Sequence, residues 1–363
     1  MTIAELLERL GNVAPWDKAA DWDPVGLQLG DPAAEATSVA VCHEITDEVV
    51  RLVTQEPSNL VVTYHPLLFE PRTTITAGPG PSGRAYQLLT KDIAVAVVHT
   101  NFDAAAGGAA DALAETLGLD DIRPLAPAAT SPAVKIVTFV PESHVGPVRQ
   151  AMADAGGGVI GNYTNCSFRV AGLGSFFASE ATSPSVGQEG QLNEEPESRL
   201  EMVAPKARAD AVLGAMVAAH PYEEPAFDVY DIRGAAFYGR VGRLVKPTPL
   251  AALAKEVAER LDAHPVRYVG HEGTPLQELA VVPGSGAEFI DAARAGGAEA
   301  LVTGDVSHHR AVGAAERGLA VIDPGHAGGE RPGVRRLLEV VRKLVPSVRD
   351  LTGWTTDPWS WTQ

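Results

Sequence analysis

The stretch SVAVCHEITDEVVRLV, residues 38–53, introduces the pattern on which the fold of this chain depends. Its first half is a short apolar run, and its second half has the amphipathic spacing of a helix. Two similar runs follow, NLVVTYH at 59–65 and AVAVVHT at 94–100, and the helical GGAADALAETLGL comes after them at 107–119. Because β-branched runs without alternation suit strands buried on both faces, this part predicts an α/β domain with a largely parallel sheet.

The last third of the chain repeats this alternation. ELAVVPG at 278–284, EALVTGD at 299–305 and LAVIDPGH at 319–326 each precede a helical segment. Each predicted strand ends in a glycine, aspartate or histidine cluster immediately before its helix. Ligands of α/β sheets usually collect at such carboxyl ends of strands, so we expect a binding site there.

The middle of the chain has a different order of elements. Four predicted strands and two predicted helices alternate there as β-α-β-β-α-β, which is typical of the ferredoxin-like split unit. The strands are VKIVTFVP (134–141), FRVAGLGSFF (168–177), RLEMVAP (199–205) and PAFDVYDI (225–232). The sequence therefore predicts one α/β domain that is interrupted by a smaller α+β domain.

Composition excludes several classes of protein. The 363 residues include 29 lysines and arginines against 46 aspartates and glutamates, and the net charge of −17 opposes binding to nucleic acid or to an anionic membrane. Two distant cysteines, Cys42 and Cys166, exclude a disulfide framework and indicate a reducing, cytoplasmic setting. The first ten residues have the spacing of an amphipathic helix and lack the features of a signal peptide, and no apolar run is long enough to span a membrane.

Three clusters at strand ends could bind metal ions. They contribute His65, His99 with Asp103, and His326 with Glu330. Imidazole and carboxylate ligands without a thiolate suit zinc, iron or manganese, and two carboxylates can each bridge a pair of cations. A lone histidine at a strand end is most often an ordinary polar residue, so this chemistry alone leaves both interpretations open.

Several segments resemble those of a known family. They are WDPVGLQLGD (22–31), TYHPLLF (63–69), HTNFDAAAGGAADALAETLGL (99–119), TGDVSHHRAV (303–312), IDPGHAGGERPGV (322–334) and TTDPW (355–359). In this order they resemble the dinuclear metal centre family of GTP cyclohydrolase 1 type 2 homologues, which are Nif-three-like. IGNYTNCSF (160–168) and HPYEEPAFDVY (220–230) resemble the PII/CutA-like insert of its long form.

The resemblance implies a set of site residues. The metal ligands would be His65, Asp103, His326 and Glu330, with the two carboxylates bridging and the two histidines terminal. The family has a further histidine where this chain has Tyr64, so either Tyr64 binds as a phenolate or one metal position is weakened or lost, and we favour the loss. His99 and His309 would then orient ligands or carry protons, so Tyr64, His99 and His309 are the pocket candidates.

The resemblance also implies an architecture and two alternative functions. Residues 1–128 and 234–363 would form two strand–helix lobes of a three-layer αβα domain, interrupted at 129–233 by the ferredoxin-like, PII/CutA-like domain. The assembly would be a homohexamer with one or two zinc, iron or manganese ions per chain. One function is a metal-dependent hydrolase of a nucleotide or similar small molecule. The other is a non-enzymatic metal-binding or regulatory oligomer whose inserted domain senses a ligand.

Overall fold

The computed structural model describes residues 1–56, 58–125, 128–160, 163–179, 184–236, 238–354 and 357–359, with the backbone alone at 128–132 and 233–236. Residues 355 and 356 of the TTDPW segment, and 161 and 162 of IGNYTNCSF, lie outside these ranges. The chain forms two compact units, one made of Met1–Ala128 with Ala235–Gln363 and the other of Ala129–Gly234.

The helices and strands follow one another along the whole chain. The first part contains α1 (Ile3–Val13), β1 (Gly26–Leu29), β2 (Val39–Cys42), α2 (Asp47–Gln55), β3 (Leu60–Thr63), α3 (Gly80–Leu89), β4 (Ala94–Val97), α4 (Thr100–Ala104), α5 (Ala109–Thr116) and β5 (Leu119–Pro124). The middle part contains β6 (Ala128–Pro141), α6 (Val145–Asp154), β7 (Phe168–Phe177), β8 (Leu192–Pro205), α7 (Ala209–Ala219) and β9 (Phe227–Ala236). The last part contains β10 (Arg240–Pro249), α8 (Leu250–Leu261), β11 (Arg267–Val269), β12 (Pro275–Ser285), α9 (Ile290–Ala295), β13 (Ala300–Gly304), α10 (His308–Glu316), β14 (Ala320–Asp323), α11 (His326–Leu344) and β15 (Val348–Asp350).

The first sheet of the larger unit has the strand order β1-β4-β3-β2-β15. Strands β2, β3 and β4 are parallel neighbours, and every residue of all three is buried. β15 adds a parallel edge beside β2, and β1 adds an antiparallel edge beside β4. The prediction of buried parallel strands in this part of the chain is therefore confirmed.

The second sheet of the larger unit has the order β11-β14-β13-β12-β10-β5. Strands β12, β13 and β14 run parallel, and the antiparallel strands β10, β5 and β11 extend the sheet outward. The helix α11 contacts β2 of the first sheet and both β12 and β13 of the second, so it joins the two sheets. Its residues Val334, Leu337 and Val341 pack into the apolar core below the first sheet.

The smaller unit is a four-stranded sheet with the order β7-β8-β6-β9 and two helices, α6 and α7, that contact each other. Its elements follow one another as β-α-β-β-α-β. Val148 and Met216 from the two helices pack with Ile136 and Leu200 from the sheet into a separate apolar core. The mixed α/β class predicted for the chain, with several sheets and helices, is confirmed.

The structure also contains elements that the sequence analysis did not predict. These include α3, the edge strands β1, β11 and β15, and the pair β5 and β10. β8 starts at Leu192, seven residues earlier than predicted, because its first half pairs with the far end of β7. None of the helices within the described ranges combines the length and the apolar composition of a membrane span.

Candidate metal centre

Three neighbouring strands place polar side chains at one edge of the first sheet. His43 follows β2 directly, Tyr64 and His65 follow β3, and His99 comes two residues after β4. The backbone N–H of His65 donates to the carbonyl oxygen of His43 at 2.8 Å, which continues the parallel pairing beyond the strand ends. Because parallel strands end on the same side, this edge gathers three imidazoles and one phenol.

Glu330 is the centre of this group of side chains. It lies in α11 four residues after His326 and is only 3% exposed. Its Oε2 lies 2.7 Å from His43 Nε2 and 3.1 Å from His65 Nε2, while its Oε1 lies 3.0 Å from His326 Nε2. Three imidazoles from three separate parts of the chain therefore surround one buried carboxylate.

Burial and charge set the protonation of this cluster. Burial alone would raise the pKa of Glu330, but the surrounding imidazoles, His65 foremost, hold that pKa well below its ordinary value. Burial lowers the pKa of His43, so this imidazole is held in its neutral form. Burial also lowers the pKa of His326, but Glu330 and Asp305, which lies 2.6 Å from Nδ1, outweigh this effect and raise the pKa to about 10.

The donor set fits one metal ion. One ligand atom each from His43, His65 and Glu330 lie within 4.8 Å of one another, and among the described residues this is the group that meets that criterion. Two imidazoles and a carboxylate are ligands that zinc, iron and manganese accept. Protonated His326 balances the charge of the buried Glu330 carboxylate here, and a bound divalent cation would balance it in the same way. The group could therefore bind a metal ion.

Tyr64 and Asp103 form a second buried pair beside this cluster. The Tyr64 hydroxyl donates a hydrogen bond to Asp103 Oδ1, and the Tyr64 side chain is 0% exposed. Burial, followed by the charges of Asp103 and Glu330, raises the pKa of Tyr64 well above its ordinary value. These effects oppose binding of a metal by Tyr64 as a phenolate.

His99 is oriented by a carboxylate that the sequence analysis did not select. Asp23 Oδ2 lies 3.0 Å from His99 Nδ1 and also accepts hydrogen bonds from the backbone N–H and the hydroxyl of Thr100. Burial lowers the pKa of His99, but Asp23 overrides this effect and raises it. The other oxygen of Asp23, Oδ1, is buried and has no hydrogen-bond partner among the described residues.

A glycine forms part of the wall beside Glu330. Gly284 lies in β12 with a φ of +58°, in the left-handed region that favours glycine. A Cβ atom at this position would lie 2.5 Å from Glu330 Oε1 and 3.2 Å from His326 Nε2. The close approach of backbone to site explains why this strand end carries a glycine.

The structure brings some of the predicted residues together and separates others. His65, His326 and Glu330 form the cluster, and the His99 ring lies 5.4 Å from that of His65. Asp103 contacts Tyr64, as described above. His309 is exposed on α10, and its ring lies against His308.

His43 and Asp23 are the residues of this site that the sequence analysis missed. His43 ends the apolar run at 38–43, so its position after a strand was the available signal. Asp23 lies within the WDPVG segment, but its contact with His99 spans 76 positions of the sequence.

Comparisons with known proteins place this chain in a family. The profile of Duf34/NIF3 (NGG1p interacting factor 3) matches residues 1–355. A Bacillus subtilis protein named GTP cyclohydrolase 1 type 2 homolog is 36% identical over 326 residues, covering 89% of this chain and 87% of the relative. A Mycobacterium tuberculosis protein of the same name is 36% identical over 369 residues, covering 99% and 96%.

Comparison with solved structures indicates the same family. The crystal structure of a Bacillus cereus protein related to NIF3 has a TM-score of 0.65 and 34% sequence identity, covering 100% of this chain and 99% of that chain. A Staphylococcus aureus protein has a TM-score of 0.70 and 27% identity, with the same coverage of both chains. The chain therefore belongs to the Duf34/NIF3 (NGG1p interacting factor 3) family.

Proposed function

We propose that this protein is a metal-dependent hydrolase of a nucleotide or a similar small molecule. The observation that carries the proposal is the buried Glu330 carboxylate, which faces the imidazoles of His43, His65 and His326. Such a cluster is costly to assemble unless a cation or protons balance its charge, and buried perturbed groups concentrate at functional sites. When bound, a divalent zinc, iron or manganese ion would polarise a substrate oxygen and acidify water.

The sequence prediction of His65, Asp103, His326 and Glu330 as metal ligands stays part of this proposal. His65 and Glu330 are supported by their shared place in the group of donors. His326 is supported by its contact with the second oxygen of Glu330. Asp103 has weaker support, because its carboxylate already accepts a hydrogen bond from Tyr64.

His99 is the residue that would carry protons. Asp23 holds its Nδ1, so Nε2 is the ring atom left to exchange a proton with a substrate or with water. A carboxylate that orients an imidazole in this way also stabilises its protonated form. His99 could therefore protonate a leaving group after accepting a proton from water.

The proposal of a nucleotide substrate rests on the names of the relatives, which are called GTP cyclohydrolase 1 type 2 homolog. The test is incubation of zinc- or manganese-loaded protein with GTP, followed by measurement of released formate and by chromatography of the nucleotide. We expect turnover in the parent and a loss of at least about 100-fold in Glu330→Gln, which keeps the side-chain size but removes the charge. Fully loaded protein that leaves GTP and other nucleoside triphosphates intact would contradict the proposal.

The second candidate function is a non-enzymatic, metal-binding regulatory oligomer. A cavity of about 680 Å³ in the smaller unit favours it, lined among others by Phe139, Leu173, Arg199 and Tyr222. We propose that this unit is a ferredoxin-like, PII/CutA-like domain at 129–233 that senses a ligand, which its order of elements supports. A thermal shift of the metal-loaded chain with nucleotides that it does not hydrolyse would favour this function over the hydrolase.

We also propose a cytoplasmic homohexamer. The free thiols of Cys42 and Cys166 suit a reducing compartment. The sheet of the smaller unit leaves large apolar side chains outside the cavity exposed, such as Phe168 and Leu192, which is typical of surfaces that pack against other subunits. Size-exclusion chromatography with light scattering should give the mass of six chains, and the mass of one chain would contradict this proposal.

A further inference from the structure

We propose that this chain binds a single divalent cation between His43, His65 and Glu330. His43 replaces the histidine expected at position 64. A hydrogen bond between Tyr64 and Asp103 closes the second metal position. The inference rests on the metal binding in the proposed function, and it departs from the two-ion centre that the sequence resemblance implies. It makes His43 a metal ligand, sets one ion per chain, and gives Tyr64 the role of closing the second position.

The register of the first sheet explains how His43 can stand in for residue 64. Cys42 of β2 pairs with Thr63 of β3 in parallel, so His43 and Tyr64 are the next residues on neighbouring strands. Their rings lie 5.6 Å apart, and the His43 ring lies 4.6 Å from that of His65. A ligand lost from the end of β3 is therefore regained one strand away, at the same edge.

The position of the His43 ring supports a direct role. Its Nε2 points at Glu330 Oε2 from 2.7 Å, and His65 Nε2 approaches the same oxygen at 3.1 Å. His43 is 2% exposed, so its ring cannot turn away into solvent. The two imidazoles and the carboxylate thus offer three donor atoms within 4.8 Å of one another, close enough to share one ion.

The contact of Tyr64 with Asp103 removes the donors of a second ion. The phenol uses its proton in a hydrogen bond to Asp103 Oδ1, and a protonated phenol is a poor metal ligand. The same bond occupies Oδ1 of Asp103, so this carboxylate has one oxygen left and cannot bridge two ions through both of its oxygens. Both side chains are buried, so water does not compete for the bond.

The test measures zinc content and affinity, independently of any activity. We expect the dialysed, zinc-replete parent to retain one equivalent per chain by elemental analysis, with one binding site by titration calorimetry. His43→Leu should weaken zinc binding by more than about 100-fold, because loss of even an outer partner of a ligand costs about 10- to 100-fold. His271→Leu, the same substitution at an exposed histidine, is the control and should bind as the parent does.

Variants at Tyr64 separate the two halves of the proposal. Tyr64→His removes the phenol that occupies Asp103 and supplies an imidazole at the second position, so it should raise the zinc retained per chain above the one equivalent of the parent. A single equivalent in this variant would contradict the role given to Tyr64. Adding Tyr64→His to His43→Leu should restore binding to within about tenfold, because it returns a histidine to the end of β3. Should His43→Leu not fold by circular dichroism, His43→Gln replaces it, and the same loss of affinity is required.

Two results would overturn the inference. These are two tightly held equivalents of zinc in the parent, or parent-like affinity in the folded His43 variants. Two equivalents together with GTP turnover would reject this inference alone and leave the hydrolase standing. One equivalent that depends on His43, without turnover of any nucleotide, would reject the hydrolase and leave this inference standing.

Discussion

Replacing the buried carboxylate of Asp103 with an amide should stabilise the metal-free protein at neutral and alkaline pH. Asp103 is 9% exposed, and burial is the main cause that raises its pKa from 3.8 to about 7. The folded protein therefore binds this proton more tightly than the unfolded chain does. As the pH rises from about 4 to about 7, the free energy of unfolding falls.

The size of the effect follows from the difference between the two pKa values. A gap of about three pH units, at about 1.4 kcal/mol each, gives an upper limit of about 4 kcal/mol. The amide of the variant would keep the side-chain size and would still accept the hydrogen bond from Tyr64. We therefore expect Asp103→Asn to raise the free energy of unfolding by about 2–4 kcal/mol near pH 8, and by close to zero near pH 4.

The assay is urea unfolding of the parent and the variant in the presence of a chelator, at both pH values. Asp17→Asn changes an exposed carboxylate in the same way and should alter the free energy of unfolding by less than about 0.5 kcal/mol. An equal gain at both pH values, or a loss of stability near pH 8, would refute the reasoning. A pH-dependent gain would instead mean that the protein retains a destabilising carboxylate at its site.

The remaining predictions concern the wall of the site, a buried ion pair and metal binding. Gly284→Ala should weaken zinc binding at least about tenfold by calorimetry, because its new Cβ would lie 2.5 Å from the site carboxylate. Gly297→Ala, also at a positive φ but facing open space, should cost only about 1–2 kcal/mol of stability and leave the affinity unchanged. Arg240 donates hydrogen bonds to both oxygens of Asp111, each at 2.7 Å. Arg240→Met should therefore lower the free energy of unfolding, measured in urea, by about 3 kcal/mol. Arg243→Met, the same change at an exposed arginine, should leave the free energy of unfolding nearly unchanged. Zinc at about 100 times its Kd should raise the free energy of unfolding by about 2.7 kcal/mol, and an unchanged melting temperature on adding zinc would contradict a folded metal site.

Much of the larger unit could be predicted because its signals are local. The runs at 38–43, 59–65 and 94–100 are buried strands, as their unbroken apolar composition indicates. The strands that were missed have no such run. β5, for example, contains two aspartates and an arginine, and it is held in place by its antiparallel pairing with β10. That pairing joins residues more than a hundred positions apart, so no local pattern reports it.

The candidate site was predicted in outline but not in detail. Its histidines follow buried strands, so their approximate place at the sheet edge was readable from the sequence. The sequence did not show which of these histidines lie in the site, because this depends on which imidazole reaches Glu330. His43 lies 287 positions from that carboxylate, and helix α11 brings the two together.

The sequence by itself determined the alternation of strands and helices, the acidic surface charge and the family. These properties depend on composition and on short-range periodicity, which can be read from the sequence without knowing the fold. The tertiary structure alone decided that His43 contacts Glu330 and that Asp103 contacts Tyr64. The physical reason is that hydrogen bonds act only over about 3 Å, and the distances between these side chains are set by sheet register and helix packing.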